Sequence, residues 1–327
     1  MSRLGTFALV AGVVILALAA LVDALVARDG LEPAAATTTD AADDDGAPLL
    51  AEAGIDGRLL YTAPDDCAME AVELPTLEPV EAPEWATCAF TVGPGSAVAP
   101  EGPVFERPSG LRAEELDGGV DVFDPTVRRG RRFERARAPA FHPNGTLTLV
   151  RRGAILTLGP CPGRAPAVDR LGRCRSRIVT EEELTSLAPV SVDPDPLRLA
   201  VETLAWLDEW RLVALAQAGS VHVLLSIDTR EAEPDVEVWF EEESLGMLEV
   251  SPRGRFVSVV IATGQLAVFD DQGIMLGVGG SQVRASAWSP DERWLAVLDG
   301  GGVLFVDSRD GATVGPVPLA ARDLAWD

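Results

Sequence analysis

Apolar and polar positions alternate along this chain in short runs, and one arrangement of those runs recurs six times. Each copy begins with a short apolar strand that ends in a large apolar residue, usually preceded by alanine. A turn, a second apolar strand, a glycine-containing turn and a third strand follow. The clearest copy occupies residues 284–288, 293–298 and 303–307. These runs are rich in β-branched residues and partly alternating, which predicts half-buried antiparallel strands.

The six copies align on the last residue of the first strand, which we call the anchor. Successive anchors are 38 to 65 residues apart, and the longer intervals are interpreted as loop insertions. A repeat of this length, with several strands in each copy, is typical of a β-propeller in which one repeat forms one blade. The anchors are Phe90, Phe141, Trp206, Val250, Trp288 and Trp326.

The sixth copy is split between the two ends of the domain. Its anchor strand is residues 323–327, and the strands that should follow it are found at 56–61 and 68–72. We expect the C-terminal strand to complete the N-terminal blade, because this pairing removes two exposed sheet edges. The sequence therefore predicts an all-β, six-bladed β-propeller over residues 55–327, closed by strand 323–327. Seven blades is the alternative.

The turns after two anchors carry a resemblance to a known family. Residues 287–296 read Ala-Trp-Ser-Pro-Asp-Glu-Arg-Trp-Leu-Ala, and residues 249–257 repeat the pattern more weakly. This resembles the bacterial WD40-like propeller repeat of TolB-like proteins, over roughly residues 55–327. The resemblance implies a propeller fold. It assigns no partner or active site to particular residues, because the chain carries no motif specific to one member of the family.

The N-terminus carries a long apolar segment. Residues 7–22 are apolar without interruption, and the segment extends to Ala27 if Asp23 is included, which is long enough for a helix to cross a bilayer. With Arg3 before it, we predict a cytoplasmic tail over 1–6, a transmembrane helix over 7–27 and a disordered acidic linker over 28–54. The propeller then lies on the extracytoplasmic side of the cell membrane. The alternative is a cleaved signal peptide and a secreted or periplasmic propeller.

Four cysteines fit an exported protein. Cys161 and Cys174 stand near the ends of a Pro/Gly-rich insertion in the third repeat, which predicts a hairpin closed by a disulfide. Cys67 and Cys88 are then left to pair across the first two blades. Four cysteines allow three connectivities, so the pairing stays open. The chain has no Cys-x-x-Cys and only two histidines, and we expect neither a metal nor another cofactor.

The charge of the chain indicates which classes of partner it can bind. The chain carries 51 acidic and 27 basic residues, a net charge of −24, and every basic residue is arginine. Such a protein repels polyanions, so we expect no nucleic-acid partner. Two clusters of arginines oppose this trend, and we interpret them as the loop entering the third blade and the turn between its second and third strands. They predict an anion- or partner-binding patch of Arg128, Arg129, Arg131, Arg132, Arg135, Arg137, Arg151 and Arg152. The alternative is a solvated loop that balances nearby carboxylates.

Catalytic motifs are missing from the sequence. It has no Gly-x-Ser-x-Gly elbow, no His-Glu-x-x-His and no phosphate-binding glycine loop. His142 follows an anchor at a turn, and His222 lies at the start of a strand, so both are interpreted as structural. We therefore expect a non-catalytic binding or scaffold propeller, not an enzyme, with a protein or cell-envelope partner. The alternatives are a propeller glycan hydrolase with paired carboxylates, or an accessory subunit of an envelope secretion or efflux complex.

Overall fold

A computed structural model of the chain describes residues 46–63, 69–82, 97–98, 111–124, 129–159, 171–188, 190 and 198–327. The predicted transmembrane segment 7–27 lies outside these residues, as does the predicted anchor Phe90. Within the described part, no helix combines the length and the apolar character needed to span a bilayer.

Six four-stranded antiparallel sheets make up the described part of the chain. We number them in chain order as sheets 1 to 6, and this arrangement is consistent with a six-bladed β-propeller. Sheet 1 contains β1 (Gly57–Thr62), β2 (Met69–Leu74), β3 (Glu78–Val80) and the C-terminal strand β24 (Asp323–Trp326), and sheet 2 contains β4 (Ala97–Val98), β5 (Arg112–Leu116), β6 (Gly119–Asp124) and β7 (Arg129–Glu134). Sheet 3 contains β8 (Ala136–Phe141), β9 (Leu147–Arg151), β10 (Ala154–Gly159) and β11 (Cys174–Thr180), and sheet 4 contains β12 (Ala200–Trp206), β13 (Arg211–Ala218), β14 (Val221–Asp228) and β15 (Asp235–Glu242). Sheet 5 contains β16 (Leu245–Val250), β17 (Phe256–Ile261), β18 (Leu266–Asp270) and β19 (Met275–Gly279), and sheet 6 contains β20 (Ala285–Trp288), β21 (Trp294–Asp299), β22 (Gly302–Asp307) and β23 (Thr313–Val317).

Sheet 1 takes its first strand from the C-terminus, which is the pairing that the split repeat predicts. Strand β24 runs antiparallel to β1, with Leu59 opposite Trp326. The Trp326 indole N–H donates to the Asp56 carbonyl over 3.2 Å. The same indole ring packs edge-on against Phe305 of sheet 6, with ring centroids 5.5 Å apart. The last strand therefore holds sheet 1 against sheet 6.

In the described residues, two helices lie outside the sheets, α1 (Gly46–Ala53) and α2 (Glu181–Leu187). Helix α1 occupies the end of the segment 28–54 for which the sequence predicted a disordered linker. The difference arises from Leu50, which is fully buried in an apolar cluster with residues of sheets 1 and 6. Helix α2 begins with a capping box between Thr180 and Glu183, a signal that is visible in the sequence.

The apolar core lies between successive sheets. In the described residues, buried apolar clusters join sheet 2 to 3, 3 to 4, 4 to 5, 5 to 6, and 6 to 1. Burial of these faces against one another supplies the main stabilisation of the fold.

The turns between first and second strands also join neighbouring sheets. In the turn after β8, the His142 ring Nδ1 accepts from the Asn144 N–H over 3.1 Å, so Nε2 carries the hydrogen. Nε2 donates to the Glu209 carbonyl of sheet 4 over 2.9 Å. Between sheets 5 and 6, the Glu292 carboxylate of sheet 6 accepts from the Ser251 hydroxyl of sheet 5 over 2.6 Å. In both cases the turn of one sheet contacts the equivalent turn of the adjacent sheet.

Glu292 occupies a backbone conformation that other repeats assign to glycine. Its φ is 64°, and the equivalent residues Gly145 and Gly254 have φ of 79° and 71°. The side chain is 1% exposed, accepts from the Arg253 N–H over 2.5 Å and forms an ion pair with Arg255 at 3.4 Å. These contacts offset the cost of the left-handed conformation, and they tie sheet 6 to sheet 5.

Candidate functional site

A groove of about 430 Å³ lies between sheets 3 and 4. It is lined by the turn after β8, by strands β10 and β11, by the turn before β13 and by the turn after β14. Its lining side chains include His142, Thr157, Ser176, Arg177, Trp206, Glu209, Trp210, Thr229 and Glu231. We call this the 3–4 groove.

One wall of the 3–4 groove is a fixed aromatic pair. The His142 ring meets the Trp206 indole edge to face, with centroids 4.5 Å apart and planes 76° apart. The Trp206 indole N–H donates to the Thr148 hydroxyl over 2.9 Å. With the His142 ring also bonded to the Glu209 carbonyl, both rings are held in place before any ligand binds.

Trp210 presents an exposed aromatic face to the groove. Its side chain is 52% exposed. Its backbone is fixed at both sides, because its N–H donates to Asp208 over 2.6 Å and its carbonyl accepts from the Thr229 hydroxyl over 2.8 Å. An exposed indole on a rigid backbone offers a large contact area at low cost in conformational entropy.

Ion pairs behind Trp210 keep the local carboxylates charged. Burial opposes ionisation of Asp208, but hydrogen bonds from the Trp210 N–H and from Arg211 hold the pKa of that carboxyl below its usual range. The hydrogen bond from Arg230 likewise lowers the pKa of Asp228. Arg211 also bonds to Asp271 of sheet 5. These carboxylates remain charged acceptors near neutral pH, and Asp208 holds the Trp210 backbone in place.

The chemistry of the 3–4 groove is that of a recognition site. It combines aromatic faces with one exposed cation, Arg177, with the carboxylates Glu209 and Glu231, and with the hydroxyls of Thr157 and Ser176. A few polar groups around aromatic surface give orientation and specificity to a bound molecule. In the described residues, no group of three or more His, Cys, Asp or Glu side chains could hold a metal ion.

The arginine-rich segment differs from the loop that the sequence predicted. Residues 129–134 form strand β7, the outer strand of sheet 2, and Arg128 lies outside the described residues. The strand forms because Phe133 is buried while its neighbours pair with β6, with Arg132 opposite Asp121. Arginines on an outer strand protect a free sheet edge from pairing with another chain.

Most of these guanidinium groups make contacts within the protein. Arg132 pairs with Asp121 at 2.7 Å and Glu134 at 3.0 Å. Arg131 donates to the Leu171 carbonyl, and Arg151 donates to the Glu134 carbonyl over 3.1 Å. Arg137 joins sheets 3 and 4, since it pairs with Glu181 and donates to the Val201 carbonyl over 2.8 Å.

The structure brings only part of the predicted arginine patch together. Among the described residues, Arg129, Arg135 and Arg152 are exposed, and their side chains make no hydrogen bond or ion pair. Arg135 and Arg152 emerge at the same end of sheet 3, because Ala136 pairs with Arg151 across β8 and β9. This is the shared face that the sequence predicted for the two clusters. Whether it binds an anion stays a prediction.

Three of the four cysteines, Cys67, Cys88 and Cys161, lie outside the described residues. Cys174 is the first residue of β11 and is disulfide-bonded. The pairings Cys161–Cys174 and Cys67–Cys88 stay predictions. Strand β11 also carries Ser176 and Arg177, so the predicted hairpin leads directly into one side of the 3–4 groove.

Glu249 is the one anchor-preceding residue that is not alanine, and the structure gives it an unusual environment. It lies on β16, and its carboxylate accepts from the Ser286 hydroxyl of β20 over 2.8 Å. Burial between sheets 5 and 6 raises the pKa of Glu249 to about 7, although the hydrogen bond from Ser286 acts in the opposite direction. Glu249 does not line the 3–4 groove.

The 3–4 groove was not predicted from the sequence. Its residues come from two repeats and are separated by up to about ninety positions, so no local motif marks them. One signal was available, because Trp210 stands in the polar turn Asp-Glu-Trp-Arg, where an exposed tryptophan is unusual.

No protein-family profile matches the chain, and no curated protein is similar to it. Among solved structures, it is similar to a chain of the mitotic checkpoint complex, with 15% sequence identity, coverage of 74% of this chain and 73% of that chain, and a TM-score of 0.43. It is also similar to the Cps50 (Swd1) β-propeller domain of Myceliophteria thermophila, with 12% identity, coverage of 83% and 89%, and a TM-score of 0.46. For the C-terminal WD40 domain of Sif2 the identity is 18%, the coverage 33% and 34%, and the TM-score 0.27. All three TM-scores are below 0.5, so the assignment of the fold rests on the six sheets and their packing.

Proposed function

We propose that the chain is a non-catalytic binding propeller that engages a partner through the 3–4 groove. The observation that carries this proposal is the exposed Trp210 beside the fixed His142–Trp206 pair. A preorganised aromatic surface with polar groups at its rim matches the centre of a protein-recognition site, where tryptophan and arginine dominate binding energy. The partner is a protein of the cell envelope.

The proposal includes a location. The apolar segment 7–27 tethers the propeller to the membrane, and the propeller faces the extracytoplasmic side. The support is the length of that segment, the arginine before it and the presence of cysteines, one of which is disulfide-bonded. An accessory role in an envelope complex is compatible with this location.

Glycan hydrolysis is the weaker alternative for this groove. A glycosidase needs one carboxylic acid whose pKa is raised so that it can protonate the leaving group. Asp208 and Asp228, whose pKa values are lowered by their hydrogen-bond partners, do not line the groove and supply no such acid. The proposal of recognition rests on the aromatic surface, and a turnover measurement separates the two functions.

Carboxylate-directed crosslinking in cells tests the groove, since the chain has no lysine for amine reagents. We expect the tagged full-length chain to capture one discrete protein. The double variant Arg177→Glu/Trp210→Ala should reduce the captured amount at least about tenfold, because it removes the exposed cation and the aromatic face.

A matched variant, Arg284→Glu/Leu116→Ala, replaces an arginine by glutamate and a large apolar residue by alanine at exposed positions that do not line the groove. It should capture the protein as the unaltered chain does. Equal capture by all three chains would contradict the proposal. So would turnover of a glycan by the purified chain that is lost in the groove variant.

A further inference from the structure

Strand β19, the outer strand of sheet 5, exposes an apolar run that begins one residue before it. Ile274 is 60% exposed, Met275 44%, Leu276 40% and Val278 46%. We call these four residues the β19 edge. Single exposed apolar residues are common on protein surfaces, but consecutive ones on a strand mark an interaction site.

The other outer strands are protected, and β19 is not. Strands β3, β7, β11, β15 and β23 each carry arginine, aspartate, glutamate or proline. Charged residues and proline on an edge strand prevent pairing with another chain. Strand β19 has the sequence Met-Leu-Gly-Val-Gly, with neither a charge nor a proline.

The backbone of β19 has one partner strand in the described residues. It pairs with β18 on its inner side, and sheet 5 ends at β19 on the other. Its outward N–H and C=O groups are therefore free to pair with an added strand. Beside it, a shallow apolar hollow opens toward sheet 6, lined by Leu266, Leu276 and Val306.

Charge selects the kind of chain that pairs with this edge. The protein carries a net charge of −24, which disfavours a second copy of itself at an apolar edge. Asp310, in the turn next to Gly311, is an exposed carboxylate near the edge, whereas Asp271, in the turn before β19, already pairs with Arg211. A chain in which positive charges stand between apolar residues is complementary to the apolar edge and to the negative charge of the protein.

We propose that the β19 edge is a docking site for an extended peptide segment in which apolar residues alternate with basic ones, added as a fifth strand of sheet 5. Its backbone pairs with β19, its apolar side chains cover the exposed apolar side chains of the β19 edge, and its basic side chains complement the net negative charge of the protein. This site is separate from the 3–4 groove, and neither depends on the other.

Fluorescence anisotropy with a synthetic peptide tests the proposal. The probe is a labelled ten-residue peptide in which valine alternates with lysine, added to the full-length chain at about 150 mM salt to weaken non-specific attraction. Its control is the same peptide with N-methyl groups on alternate amides, which has the same charge but cannot form strand hydrogen bonds. We expect the N-methylated peptide to bind at least about tenfold more weakly.

Variants of the chain locate the site. Met275→Lys/Val278→Lys should weaken binding of the unmethylated peptide at least about tenfold. Leu49→Lys/Leu187→Lys adds the same charges at exposed leucines of α1 and α2, and should bind within about twofold of the unaltered chain. Equal binding of the two peptides, or equal binding by the two variants, would overturn the proposal. A self-dimer that only Met275→Lys/Val278→Lys disrupts would also overturn it, in favour of a second copy.

Discussion

Gly254→Ala is expected to lower the free energy of unfolding by at least about 4 kcal/mol, which is an exceptionally large loss for the addition of one methyl group. A Cβ atom at this position would lie 1.6 Å from the Leu207 carbonyl oxygen and 2.8 Å from the Leu207 carbonyl carbon. Gly254 belongs to the turn of sheet 5, and Leu207 to the turn of sheet 4. Both neighbours are backbone atoms, so the two sheets must move apart to admit the methyl group.

The matched control for this change is Gly118→Ala. Gly118 has φ of 73°, against 71° for Gly254, but a Cβ there meets nothing within 4 Å. Its substitution should cost only about 1–2 kcal/mol, the cost of a side chain in the left-handed conformation. Urea denaturation followed by tryptophan fluorescence measures both. Similar losses for the two variants would show that the turns of sheets 4 and 5 are not in contact.

Glu249→Gln is expected to change how stability depends on pH. The folded pKa of Glu249 is raised to about 7 from an ordinary value of 4.5, so the folded state retains a proton that the unfolded state releases. The stability from this group is complete below pH 4.5 and is lost as the pH rises toward 7. Glutamine has no such titration. The stability of Glu249→Gln relative to the unaltered chain should therefore rise by about 2–3 kcal/mol between about pH 5 and pH 8.

Chemical denaturation at several pH values measures this difference. Glu237→Gln, at an exposed position of β15, controls for the general effect of removing one negative charge from an acidic protein. Its difference from the unaltered chain should change much less over the same range. Parallel curves for Glu249→Gln and the unaltered chain would show that the Glu249 carboxyl is not held between sheets 5 and 6.

The repeat predicted the regular part of the fold because its signal is local. The strands predicted at 293–298 and 303–307 correspond to β21 and β22, and the anchors Phe141, Trp206, Val250 and Trp288 each end the first strand of a sheet. Alternating burial and a turn rich in proline, glycine and serine define such units over a few residues. The outer strands carry weaker patterns because one edge faces solvent. This is why arginine-rich β7 was interpreted as a loop.

Contacts between repeats could not be predicted from the sequence. The repeat shows a turn at 289–292 but not that Glu292 takes a glycine conformation and accepts hydrogen bonds from the preceding sheet. Likewise, the 3–4 groove exists only where two blades meet. For Glu249, part of the environment could be predicted. The sequence shows glutamate at the position where the other repeats have alanine, but it does not show that Ser286 is the hydrogen-bond partner. Sequence patterns within one repeat predict the strands of each blade, whereas the candidate sites form where one blade packs on the next.

The most direct measurement of the central claim is photo-crosslinking in cells from position 231. A photoreactive amino acid replaces Glu231, an exposed residue that lines the groove, and Trp210 is kept. A second chain carries it at Leu116, which is 44% exposed and does not line the groove. The account predicts one discrete protein adduct from position 231 and none of that species from position 116. The same adduct from both positions, or an adduct only from position 116, would contradict a binding site in the 3–4 groove.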